Sequence, residues 1–156
     1  MVQFLLSRGA DPNANLSGHI NSTLEVAAIT SSIPVLDALL DAGAALRGHS
    51  ALCNAAEYGR LDVVGHLLDR GAAIDEVPDH KGISEFDREQ GVKNALCMAA
   101  SNGQVEVVKL LLERGADVKV MDSKGKSAIE VAAEGKHFGC VEILRIHIEG
   151  PPELQI

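Results

Sequence analysis

The chain of 156 residues has no tryptophan, one tyrosine and three phenylalanines, so its core cannot be organised around large rings. It must be layered from Ala, Leu and Val, since 46% of the residues are hydrophobic and only 3% aromatic. Positive charge is also scarce: 14 Lys and Arg stand against 22 Asp and Glu, a formal net charge of -8 with a pI near 5.1. Such a surface repels nucleic acid and anionic lipid, which leaves a basic or neutral partner. No apolar run approaches a membrane span, and the N-terminus has neither the basic segment nor the long apolar segment of a secretory leader. The three cysteines, Cys53, Cys97 and Cys140, form no C-x-x-C pair and are odd in number, as expected of free thiols in a reducing compartment. These absences together predict an intracellular chain, cytoplasmic or nuclear.

What is present is repetition. The stretch "ALCNAAEYGRLDVVGHLLDRGAAI" (51–74) lies over "ALCMAASNGQVEVVKLLLERGADV" (95–118) without a gap. "TLEVAAITSSIPVLDALLDAGAAL" (23–46) and "AIEVAAEGKHFGCVEILRIHIEGP" (128–151) follow the same plan. Gly9, Gly43, Gly71 and Gly115 mark unit ends at separations of 34, 28 and 44 residues, around a period near 33. Each unit opens on a polar residue, Ser22, Ser50, Asn94 or Ser127, suited to cap a first helix. Ser22/Glu25 and Ser127/Glu130 have the spacing of reciprocal capping boxes. Paired alanines (27–28, 55–56, 99–100, 132–133) allow short helices to approach closely, and Gly59 or Gly103 turns the chain into "VVGHLL" or "VVKLLL", a second helix. Pro34 falls in the first turn of a second helix, where its missing N–H costs little. Ile148 replaces the terminal glycine of the fourth unit, which predicts an irregular end there.

Period, double alanine and terminal Gly-Ala together resemble the ankyrin repeat, with Glu25 and Glu130 standing where that family has His. The resemblance implies an all-α solenoid of stacked helix-turn-helix units joined by short or irregular β-hairpin loops. It divides residues 1–156 into a leading half-repeat (1–13), repeats at about 17–46, 47–75, 91–118 and 122–149, and a long insertion (76–90). Val2 to Asp11 aligns with Val108 to Asp117, a second helix without its first, so Phe4, Leu5 and Leu6 lack the polar face of a terminal unit. Two expectations follow: the chain is a fragment of a longer array, such as a larger ankyrin-containing receptor or scaffold, or a second copy covers this end as a homodimer.

The family resemblance also implies a concave groove lined by the residues after each double alanine and by the hairpin tips. Those positions are Ile29 and Thr30, Glu57 and Tyr58, Ser101 and Asn102, Glu134 and Gly135, with tips at His19, His49, Lys93, Lys124 and Lys126. The connection between Gly43 and Ser50 is about five residues short of the period, and that between Gly71 and Asn94 is eleven too long. A recess beside Tyr58, overhung by Phe86 from the long loop, is the predicted contact site: Tyr58, Glu57, His49 and Phe86, with Ser101, Asn102, Ile29 and Thr30 as neighbours. The implied function is non-catalytic recognition of another protein, with no cofactor. The competing reading is a small-molecule-binding protein or atypical enzyme in which Glu57, Tyr58 and His49 converge as acid and base. His137, Cys140 and His147 invite a metal reading, but Cys140 aligns with Val107 on the buried side of a second helix.

Overall fold

The computed structural model describes residues 2–13, 22–46, 50–78 and 93–150. Among these residues the regular structure is helical: α1 (Val2–Ser7), α2 (Thr23–Thr30), α3 (Ile33–Asp41), α4 (Ala51–Glu57), α5 (Leu61–Asp69), α6 (Ala95–Ser101), α7 (Val105–Glu113), α8 (Ala128–Glu134) and α9 (Phe138–Glu149). The short first helices α2, α4, α6 and α8 pack side by side in chain order, and the second helices α1, α3, α5, α7 and α9 form a second layer. No helix among the described residues is long and apolar enough to cross a membrane.

Why these segments stop where they do is local chemistry. Ser22 and Ser127 close the expected capping boxes, and the Asn94 side chain accepts from Cys97 N at 2.8 Å. Ser50 departs from expectation. Its side chain caps nothing, because its backbone (φ -83°, ψ 11°) is not in the extended conformation that aims a capping oxygen at the next turn; its amide donates instead to Glu25 Oε1 of the preceding repeat, at 2.6 Å. Glycine at φ near +90° ends the second helices at Gly43, Gly71 and Gly115, the left-handed conformation that reverses a helix without a Cβ clash. The fourth unit departs from the others at the expected place: with Ile148 in the glycine position the helix does not stop in register, so that α9 has twelve residues where α3, α5 and α7 have nine, and it ends at Gly150, φ +86°.

Packing follows register. Ala28, Ala56 and Ala100 are all fully buried between first helices, and Leu39, Leu67, Leu111 and Leu144 form a column no more than 2% exposed. A buried leucine contributes about 1.5–3 kcal/mol relative to an exposed one. Leu5 occupies the same register in α1 yet is 50% exposed, because no first helix lies over α1 among the described residues. Ala133, the equivalent of Ala100 in the last repeat, is likewise exposed.

Candidate functional site: the row of first-helix ends

The first helices end in register, so that Thr30, Tyr58, Asn102 and Gly135 stand in one row. Side chains from the following repeat hold that row in place. Arg60 donates to Ile29 O (2.6 Å) and Ser31 O (2.9 Å), and Gln104 Nε2 donates to Glu57 O at 3.0 Å. His137, in the same register, lies against Gly103 and Gly135, where an added Cβ would come within 2.6 Å of its ring. Gly59 and Gly103 have φ of +68° and +70°, which favour glycine, and a side chain at Gly103 would also strike the His137 ring, while one at Gly59 would displace the Gln104 amide. These backward-reaching residues fix the spacing between units; the sequence assigned no role to Arg60 or Gln104, and to His137 only that of a candidate metal ligand. Their shared register, one residue after the interhelical turn, is the signal that finds them.

On this framework Tyr58 caps the end of α4 and is 59% exposed; Phe4 and Phe138, both on second helices, are the more exposed rings at 61% and 74%. Val26 on α2 and Met121 before the 122–126 turn are also exposed, at 47% and 55%. The polar neighbours are less free than sequence suggests. Thr30 Oγ1 donates to Val26 O (2.9 Å), Ser101 Oγ to Met98 O (3.1 Å), and Asn102 Nδ2 to Met98 O (3.0 Å). Each satisfies a carbonyl of its own helix end, and what it offers outward is acceptor oxygen. Glu57 and Ile29 are half-buried. His49, Phe86 and His19 lie outside the described residues, as does most of the long insertion.

The finger side carries charge, partly neutralised. Lys126 Nζ pairs with both carboxylate oxygens of Glu134, at 2.6 and 2.8 Å, while Lys124 is exposed. The turn between them is built on buried Asp122, whose Oδ1 accepts from Lys124 N and Lys126 N at 2.8 and 2.9 Å.

The cysteines are core groups. Burial, with Glu76 nearby, pushes the Cys53 thiol up to about 12, and burial, with Asp122 nearby, does the same for Cys97. Burial also raises Cys140 above the ordinary thiol value. All three thiols are free, and at neutral pH they are protonated and enclosed, which disqualifies them as nucleophiles. Among the described residues no cluster of three or more His, Cys, Asp or Glu is arranged to hold a metal ion. Cys140 is fully buried, whereas His147 is exposed and lines a recess between α7 and α9.

Comparison with known families agrees with this architecture. A family model described as "Ankyrin repeats (3 copies)" matches residues 80–151, and one described as "Ankyrin repeat" matches residues 47–79. No curated protein matches the chain.

Proposed function

Since the chain belongs to the ankyrin-repeat family, whose repeats generally mediate binding to other proteins and are typically non-catalytic, we propose that it is a non-catalytic recognition module. Its partner docks on the row of first-helix ends centred on Tyr58. The exposure of Tyr58 on an otherwise tied-down row carries this reading: a ring on a fixed helix end buries area against a partner with little loss of rotamer freedom. Val26 and Met121 extend the apolar contact, and the acceptor oxygens of Thr30, Ser101 and Asn102 supply directional bonds. The net charge of -8 favours a basic or neutral partner over nucleic acid or anionic lipid. Three free buried thiols support a reducing location, cytoplasm or nucleus. Self-association through the exposed Phe4 and Leu5 of α1 belongs to the same reading.

A photo-crosslinking residue at position 58, introduced in native cells, tests this directly by trapping the partner. With the partner purified, Tyr58→Ala lowers affinity by ~2 kcal/mol or more, as for a central aromatic anchor. Lys124→Ala, a rim charge, has a much smaller effect. The reverse ranking moves the contact site to the fingers and sinks the proposal.

A further inference from the structure

Two junctions between second helices are bridged by guanidinium groups. Arg70, which caps the end of α5, donates from Nη2 to Asp41 Oδ1 at 2.6 Å, and Arg114, which caps α7, donates from Nη1 to Asp69 Oδ1 at 2.7 Å. In both cases the acceptor is the last residue of the preceding second helix and the donor caps the next one. Of the other two junctions, α1–α3 has Ser7 and Ala42 at these positions, while α7–α9 keeps the acceptor and loses the donor. α7 ends in Glu113, but the register equivalent of Arg70 and Arg114 is His147, and Glu113 makes no hydrogen bond or ion pair among the described residues. Beside Glu113 a recess of about 330 Å³ opens between α7 and α9, lined by Leu112, Ile143, Ile146, Lys109 and His147. Lys109 is held by Glu106 of its own helix at 2.8 Å.

We propose that this recess is a second docking point, on the face opposite the Tyr58 row, which receives an arginine side chain from a partner protein. The chain itself shows the chemistry that fits: twice, at equivalent junctions, a guanidinium lies across the groove onto the terminal carboxylate. Arginine suits the α7–α9 junction better than lysine because its planar donors match a carboxylate and its guanidinium is more weakly hydrated than an ammonium, while its alkyl stem lies on Leu112 and Ile146. An apolar floor shared by three aliphatic residues also takes the apolar neighbour of that arginine, which points to a polypeptide as the occupant rather than a free guanidino compound. The acidic net charge draws such a segment in.

The test is an amide chemical-shift titration of the full chain with the peptide acetyl-Leu-Arg-Leu-amide. Expected are saturable shifts confined to residues 109–113 and 143–147. Replacing the peptide arginine by citrulline, its neutral isostere, weakens binding by about tenfold, and Glu113→Gln does the same. His147→Arg supplies the missing guanidinium from within and lowers peptide affinity by a similar factor. Tyr58→Ala binds the peptide as the wild type does, so failure here leaves the first-helix reading standing. The proposal is overturned if no saturable shift appears, if the citrulline peptide binds equally well, or if His147→Arg leaves binding unchanged. Equal affinity for N-acetyl-argininamide overturns the polypeptide occupant.

Discussion

Glu25 and Glu130 occupy the same register in two repeats, yet replacing each by alanine has different consequences. Glu25 is buried, at 5% exposure, and its two oxygens serve two repeats: Oε2 accepts from Ser22 N at 2.5 Å and Oε1 from Ser50 N at 2.6 Å. Glu130 is exposed and bonds Ser127 of its own helix start, with no described repeat beyond it. A hydrogen bond to an ionised acceptor is worth about 1.5–3 kcal/mol when its loss leaves the donor without a partner. Both serines of the Glu25 bridge are half-buried, so water recovers part of that loss, and Glu25→Ala is expected to destabilise by about 2–4 kcal/mol. For a chain of this size that is a fall in Tm of about 5–15 °C. Glu25→Gln keeps one carbonyl acceptor and turns an amide donor toward the other N–H, so its effect is intermediate. Glu130→Ala loses a cap within one helix and has the smallest effect. Urea unfolding followed by circular dichroism gives the ranking, and hydrogen exchange at the Ser50 amide gives the local readout. Equal midpoints for Glu25→Ala and Glu130→Ala, or undiminished protection of the Ser50 amide in Glu25→Ala, would refute the bridge.

Two further outcomes are open to measurement. Because burial raises Cys53 and Cys97 from the ordinary 9.0 to about 12, folding is favoured by their protonated state. That contribution is complete below pH 9 and is lost as pH rises from 9 toward 12, at about 1.4 kcal/mol per pH unit for each thiol. Cys53→Ala should therefore flatten the alkaline fall of the urea midpoint, and parallel profiles for mutant and wild type would show that the thiol is not linked to folding. At the other end of the molecule, sedimentation equilibrium is expected to show self-association that Leu5→Asp abolishes, and a wild-type monomer at all concentrations would remove α1 as a contact face.

The helices and their order were legible because each is specified by neighbours in the chain. Ser22, Asn94 and Ser127 start helices, Gly43, Gly71 and Gly115 end them, and the paired alanines declare a close helix contact, all by short-range chemistry. The position of Tyr58 at the exposed end of α4 was legible for the same reason, since a repeat carries each residue to the same place in every unit. The places where the repeat fails to predict are those where a residue's state depends on what lies in the adjoining unit. Leu5 and Leu67 share a register and differ in burial by half their surface, because among the described residues a first helix lies over Leu67 and none over Leu5. Ser50 looks like a cap and instead gives its amide to Glu25, a bond between residues 25 positions apart. Glu113 has no guanidinium partner among the described residues, His147 standing in register with Arg70 and Arg114, and the recess beside it appears only when α9 is laid against α7. Periodicity in sequence assigns each side chain its direction. Whether that direction meets a partner, water or an empty groove is decided by stacking, because the groups that satisfy or cover it come from a different repeat.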